Sequence, residues 1–378
     1  MEVTQTTILD LLSDSANGLS IPSYQRVYSW TTRQCEELWL DVLRAGRDSR
    51  PHFTGVMLFE GEGADSFGGE DPRDGSPHGG NASGRIDVID GQQRTATLTL
   101  LITALRDWMR ETGTALEGAD ADTLTSRYLH VDAAEGALKL VLSRVDRKTM
   151  SAVVEGTELP QDEEELSQNV ANNYRLFRDK MGAGFTADDA QVIWNGIQRL
   201  LIIAASLDGD DRPQLIFESL NSKGKPLTTA DLVRNYLLLA QTHEEQTRLY
   251  DEYWDPIEGM FQPDPGSLRL DNAIQGWLSV RFRKVRARGR DEVYSVFKQY
   301  VEDEFTGTTE SLLHELRNFC MIWAENYRYH AVKKYKSAFK WAENGAPTLV
   351  SHYEKKQSTN QSYADSLRAK MDFTDASL

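Results

Sequence analysis

Two short stretches hold more chemistry than an acidic surface requires: Asp90-Gly91-Gln92-Gln93-Arg94 within DGQQRTATLTLL, and Tyr24-Gln25-Arg26 within IPSYQRVYSW. A strand ending at Asp90, a turn at Gly91 and a helix starting at Gln92 would leave backbone N–H groups unpaired at the positive end of the helix. Phosphate suits such a site. Gln92, Gln93 and Arg94 fall in the first turn, where Arg can fork onto phosphate oxygens and Gln can bind a phosphate, a base edge or an attacking water. Asp90 supplies a carboxylate for Mg²⁺, directly or through water. The plainer alternative is that Asp90 caps the helix while Gln92 and Arg94 are surface residues.

In the second stretch, alternation along an extended segment sends Tyr24 and Arg26 to one face and Gln25 to the other. Ile21, Pro22 and Tyr24 then make a small apolar cup beside the Gln25 and Arg26 donors. The alternative is a buried edge strand, and Tyr28 and Trp30 read as core aromatics. A third cluster lies in PQLIFESLNSKGKPLTTADLVRNYLLLA, residues 213–240, which reads as helix, tight turn, helix. Thr228 and Asp231 have capping-box spacing. Glu218, Asn221, Lys223, Asp231, Arg234 and Asn235 bunch around that turn, although helical i,i+3 and i,i+4 pairing explains Asp231 and Arg234 equally well.

The elements that must position these residues are legible from period and punctuation. TILDLLSD opens a helix, Pro22 favours extended chain, and Thr31 or Thr32 caps a helix whose Cys35, Leu38, Trp39, Val42 and Leu43 share one face and which Pro51 closes. HFTGVMLFE and GRIDVID read as strands. Between them, residues 61–84 are Gly, Asp, Ser and Pro with hardly an apolar residue, the composition of a disordered loop. From Gln92 to Gly113 the pattern is helical, with Leu98, Leu101, Ile102, Leu105, Trp108 and Met109 on one face. ALKLVLS and RLLIIAASL are further strands, and beyond Pro213 the chain is almost all helix.

At 378 residues and 40% apolar, the chain can fill one large or two ordinary domains. The expected class is α+β, helix-dominated, with a small α/β core followed by a helical body; the division falls at 1–240 and 241–378. No apolar run is long enough for a membrane span and the N-terminus lacks the pattern of a signal peptide, so the expected location is cytoplasmic. Cys35 and Cys320 are too sparse for a disulfide framework or a structural zinc site. A formal charge of −16 excludes a generally adhesive nucleic-acid coat. Any DNA contact must be local, and Arg281 to Arg290, RFRKVRARGR, places six Lys or Arg in ten residues.

IPSYQRVYSW, VIDGQQRTATLTLL and IFESLNSKGKPLTTADLVRNYLL, in this order, closely resemble the N-terminal domain family of GmrSD-type modification-dependent restriction proteins. The likeness runs from about Ile8 to Tyr250, and the phosphorothioate-sensing SspE proteins of antiphage defence share that family. The resemblance implies a core like the ParB and sulfiredoxin fold. It implies a nucleotide site in which Asp90, Gln92, Gln93 and Arg94 are catalytic, with Gly91, Tyr24, Gln25 and Arg26 binding nucleotide; Asn221 and Lys223 of the third cluster are expected as further nucleotide-binding residues. It implies hydrolysis of GTP or UTP with Mg²⁺ at Asp90, coupled to double-stranded DNA cutting by an HNH-type nuclease domain or subunit.

No His-Asn metal pattern occurs among the seven histidines, so the chain is expected to be the N-terminal half of a longer protein or a separately encoded subunit. The family's usual Leu after DGQQR is here Thr95, followed by Ala96. Ile21, Pro22, Tyr24, Gln25 and Arg26 would either sense the modification or sit beside the nucleotide; sulfur in place of a phosphate oxygen is larger, more polarisable and a poorer hydrogen-bond acceptor, so a partly apolar cup favours it. The alternatives are a nucleotide-gated DNA clamp with little turnover and a module sensing modified bases such as glucosylated hydroxymethylcytosine.

A DNA sensor of this charge needs a local phosphate-contacting stripe, for which Arg281, Arg283, Lys284, Arg286 and Arg288 are the candidates. Reversing the charge at Arg283, Lys284, Arg286 and Arg288 should weaken duplex binding and reduce the salt slope by about 0.9 for each phosphate that is no longer neutralised. Titrations at several salt concentrations measure this, and an unchanged slope would make the run an ordinary solvated helix face.

Overall fold

Short runs rich in Val, Ile, Leu and Thr become strands when neighbours cover them, and six such runs meet in one mixed sheet. The computed structural model describes residues 2–15, 17–60, 85–132, 136–162, 165–207, 216, 227–261, 270–282 and 289–333. The fold is α+β and helix-dominated. The chain divides after Pro226 into two compact units, Met1–Pro226 and Leu227–Leu378. Helix Thr229–Leu238, grouped with the first region on sequence grounds, falls in the second. The expected loop at 61–84 lies outside the described residues.

In the first unit the strands are β1 (Glu2–Thr7), β2 (Leu19–Ser20), β3 (His52–Glu60), β4 (Ile86–Asp90), β5 (His130–Asp132), β6 (Ala137–Leu138), β7 (Leu140–Val141) and β8 (Leu200–Ser206). Its helices are α1 (Ile8–Asp14), α2 (Thr32–Asp48), α3 (Gln92–Thr112), α4 (Ala121–Leu124), α5 (Arg144–Glu155), α6 (Gln168–Lys180) and α7 (Ala187–Ile197). The sheet order is β1-β8-β3-β4-β2-β7, and β5 pairs with β6 separately. Pairings β1/β8 and β3/β4 are antiparallel, whereas β8/β3, β4/β2 and β2/β7 are parallel.

One expected strand needs correcting, and one strand was not expected. ALKLVLS is not one strand: it breaks at Lys139 because its halves pair with different partners, β6 with β5 and β7 with β2. Lys139 is buried at the break, where its Nζ donates to the Ser15 carbonyl at 2.8 Å. In addition, Glu2–Thr7 forms β1, which periodicity did not reveal; its partner is β8, some two hundred residues away in sequence.

Helix α3 is buried far beyond the single face its periodicity suggests. Leu98, Leu100, Leu101, Ile102 and Leu105 are fully buried, as are Thr95, Thr97 and Thr103. Burial of each Leu or Ile side chain contributes about 1.5–3 kcal/mol, and the threonines tolerate the same surroundings only if their hydroxyls are satisfied. Each is: Thr95, Thr97, Thr99 and Thr103 donate to the carbonyl four residues earlier. Thr95 bonds the Gly91 carbonyl at 3.2 Å, so this departure from the family pattern is accommodated at the helix start.

In the second unit, α8 (Thr229–Leu238), α9 (His243–Leu249), α10 (Asp255–Met260), α11 (Leu270–Arg281), α12 (Arg290–Asp303) and α13 (Thr309–Lys333) are all helical. Thr228 and Asp231 form the expected capping box. Among the described residues no helix is long and apolar enough to cross a membrane.

At the end of β3, Glu60 stands opposite Asp87 of β4. Burial, with the Asp87 charge second, pushes the Glu60 carboxyl up to about 7. The protonated acid is therefore favoured in the fold, and its stabilising contribution is complete below the ordinary carboxylate range and lost as pH rises through about 7. Urea unfolding should find Glu60→Gln close to wild type at pH 5 but more stable at pH 8, by up to about 3 kcal/mol.

Candidate functional site

The junction between β4 and α3 is built as the sequence suggests. Gly91 is the N-cap of α3 with φ 95°, a left-handed conformation that disfavours a side chain. A Cβ there would lie 2.6 Å from Met57 Cγ. Glycine also brings no capping side chain, so the first-turn N–H groups and the positive helix end are left for another acceptor.

Asp90 precedes this turn. Burial pushes its carboxyl upward, against opposing effects from the Arg94 charge, the Gly91 N–H and the Arg26 charge. Arg94 is its mirror image, since burial lowers the guanidinium and Asp90 raises it. The two motifs are thus electrostatically linked through Asp90.

Arg94 is anchored inside the protein. Its Nη1 donates to the Thr54 carbonyl at 2.8 Å and its Nη2 to the Val56 carbonyl at 3.0 Å. The irregularity between Phe53 and Gly55 in the β3/β8 pairing explains how: it interrupts the regular ladder beside these carbonyls. Gly55, with φ 125°, gives the guanidinium room, for a Cβ there would sit 2.4 Å from Nη1.

Gln93 is a clamp on the first motif. Its Oε1 accepts from the Ser29 N–H at 2.8 Å and the Trp30 N–H at 3.1 Å, while its Nε2 donates to the Val27 carbonyl at 3.4 Å. Gln92 and Gln25 are both buried and touch: Gln92 Nε2 donates to Gln25 Oε1 at 3.2 Å, and Gln25 Nε2 donates to the Ile89 carbonyl at 3.1 Å. The structure therefore brings Gln25, Gln92, Gln93, Asp90, Arg94 and Arg26 to one place.

The extended alternation expected of IPSYQRVYSW is replaced by a turn, because the Gln25 N–H bonds the Pro22 carbonyl at 3.0 Å and folds the chain back. Ile21, Pro22 and Tyr24 are buried as a result, whereas Arg26 is partly exposed and Val27 is 48% exposed. The apolar cup thus exists as packed interior and not as an open concavity. Tyr28 is a core residue, its hydroxyl 2.6 Å from Thr97 Oγ1 and accepting from Asn173 Nδ2 at 3.1 Å. Trp30 packs against the core.

Three residues that sequence reading missed hold the same strap. Asp146 Oδ2 accepts from the Tyr28 N–H at 2.6 Å, Asn169 Nδ2 donates to the Tyr28 carbonyl at 3.1 Å, and Asn173 Nδ2 donates to the Trp30 carbonyl at 2.8 Å. Burial raises the Asp146 carboxyl, opposed by bonds from Ser167 and the Tyr28 N–H. The i,i+4 spacing of Asn169 and Asn173 on α6 was the available signal, but polar residues on a helix face rarely announce a tertiary partner.

Asn221, Lys223, Arg283, Lys284, Arg286 and Arg288 lie outside the described residues. Arg281 is engaged, its Nε donating to Glu315 Oε1, which also accepts from Trp277 Nε1. Arg234 is buried in the second unit, where burial opposes its charge but Asp231 and Glu258 outweigh that and hold the guanidinium above its ordinary value. Among the described residues no group of three or more His, Cys, Asp or Glu is arranged to hold a metal ion. The carboxylate that borders the Gly91 turn is Asp90.

The sequence profile of the GmrSD restriction endonuclease N-terminal domain matches residues 8–238, more than half of the chain and inclusive of both motifs. No curated protein matches the chain.

Arg94→Ala should destabilise the protein by about 1–3 kcal/mol, because the Thr54 and Val56 carbonyls lose their donors. Urea midpoints check this in the absence of nucleotide. A variant as stable as wild type would show that these two bonds do not anchor the corner.

Proposed function

Because the chain belongs to the GmrSD restriction endonuclease N-terminal domain family, we propose that it is the nucleotide-hydrolysing, DNA-sensing module of a bacterial antiphage restriction system. The observation that carries this reading is the start of α3, where a left-handed glycine without a capping side chain follows a half-buried carboxylate and opens a long helix. Such an end attracts anions through its N–H groups and its dipole. The triphosphate of GTP or UTP is the proposed ligand, with Mg²⁺ carried in on its phosphates and met by Asp90. The ion neutralises phosphate charge, and the protein supplies position.

In this reading Gln93 and Arg94 act mainly as framework. Gln93 joins the helix start to the strap at Val27–Trp30, and Arg94 joins it to β3. Gly91 and Gln25 border the phosphates together with Arg26, and Asn221 and Lys223 are proposed as further nucleotide contacts. The core is proposed to be ParB-like.

Phosphorothioate-modified double-stranded DNA is the proposed stimulus, sensed at Ile21, Pro22, Tyr24, Gln25 and Arg26. Since Ile21, Pro22 and Tyr24 are packed inside, sensing would require the strap to shift, and Gln93 ties such a shift directly to the nucleotide site. The cutting activity is assigned to an HNH-type nuclease domain or subunit. A second reading, a nucleotide-gated DNA clamp with little turnover, is favoured by the engagement of Gln93 and Arg94 with the backbone.

The test is phosphate release from GTP, UTP, ATP and CTP with Mg²⁺, alone and with phosphorothioate-modified or unmodified duplex. Release from GTP or UTP, accelerated by the modified duplex, is the expected outcome. Nucleotide binding without turnover would select the clamp, and a chain that binds none of the four would remove both readings.

A further inference from the structure

The Gln25–Gln92 pair has a polarity that the fold dictates. The Ile89 carbonyl can only accept, so the Gln25 amide must face it with Nε2, as it does at 3.1 Å. Gln25 Oε1 is thereby turned toward Gln92, and Gln92 must donate through Nε2, at 3.2 Å. The other end of that amide, Gln92 Oε1, is buried and has no hydrogen-bond partner among the described residues, and Gln92 as a whole is only 6% exposed. An orphaned buried acceptor is unfavourable, and it lies at the positive end of α3, where an anion-binding role alone would call for donors.

We propose that Gln92 Oε1 accepts a hydrogen bond from the water that attacks the nucleotide, and that Gln25 is the positioning residue that keeps this oxygen, and not the amide NH₂, turned toward it. The proposal rests on the hydrolytic reading of the site. The first-turn N–H groups hold the γ-phosphate, and Gln92 Oε1 aligns the water in line with the bond to be broken. The water oxygen forms a bond to the γ-phosphorus while the bridging P–O bond breaks. The electron pair leaves on the β-phosphate oxygen of the nucleoside diphosphate, and a water proton ends on the released phosphate.

Gln92 stays unchanged through the step, and no co-reactant beyond water is needed. The relay also joins the two motifs chemically, because any movement of the strap at Gln25 releases the Gln92 amide to rotate. Modified DNA acting on the strap would in this way set the orientation of the water.

The test uses the full chain, GTP hydrolysis kinetics and binding of a non-hydrolysable GTP analogue. Gln92→Leu should lower kcat by roughly 10–100-fold while KM and analogue affinity stay within about threefold. Gln25→Met, at a residue that does not touch the water, should lower kcat by more than it weakens analogue binding; because the Ile89 carbonyl loses its donor the variant should also melt earlier, so kcat is read at a temperature where it is fully folded. Gln92→Glu provides a readout that a merely structural role would not move: its protonated acid is isosteric with the amide, donating to Gln25 and presenting a carbonyl oxygen. Its kcat relative to wild type should therefore rise as pH falls.

Wild-type kcat in Gln92→Leu or in Gln25→Met would overturn the relay, as would a loss of analogue binding that accounts for the whole loss of rate. Those results leave the hydrolytic reading standing. A wild-type chain without turnover removes that reading, and the relay with it.

Discussion

A strap of irregular backbone, Gln25 to Trp30, lies outside the sheet, and the organisation of the site follows from how its polar groups are satisfied. Buried backbone N–H and C=O groups need partners. Here side chains from three helices supply them: Gln93 from α3, Asp146 from α5, and Asn169 with Asn173 from α6. The strap is fixed where these helices converge, and the start of α3 is fixed to the strap in return. Two motifs some seventy residues apart in sequence become one structural unit through this exchange.

The electrostatic arrangement follows from the same burial. Asp90 and Arg94 each have their ionisation opposed by burial and supported by the other, so neither charge is easily removed alone. Arg94 is further committed to two carbonyls beside the β3 irregularity, so β3, β4 and α3 are held at one corner. A cation next to a helix N-terminal turn is easily read as a ligand contact, yet the Arg94 guanidinium bonds acceptors of its own chain.

The threonines of α3 illustrate how far tertiary burial can depart from a sequence pattern. Periodicity marks one apolar face, but surrounding elements also cover the opposite side, and four hydroxyls become compatible with that environment by bonding back along the helix. In the second unit, Arg234 is accommodated by a different solution. Its guanidinium bonds Asp231 and Glu258 through its two Nη atoms, and Glu258 accepts further bonds from Tyr250 and Trp254, so the buried charge is compensated by two carboxylates.

From sequence alone, local physics determined the strand His52–Glu60, the β4-to-α3 junction at Asp90-Gly91-Gln92, the helix ending at Gly113 and the Thr228 cap, because each depends on neighbours within a few residues. Family likeness was legible too, since its three motifs are contiguous. What only the tertiary structure decided was which side chains remain available for chemistry. Gln92 and Gln93 are adjacent and identical in type, yet Gln93 holds the strap while Gln92 has a buried oxygen without a partner among the described residues. That difference is set by Ile89, Val27, Ser29 and Trp30, partners from distant or irregular backbone, and hydrogen-bond direction across such contacts leaves no trace in local periodicity.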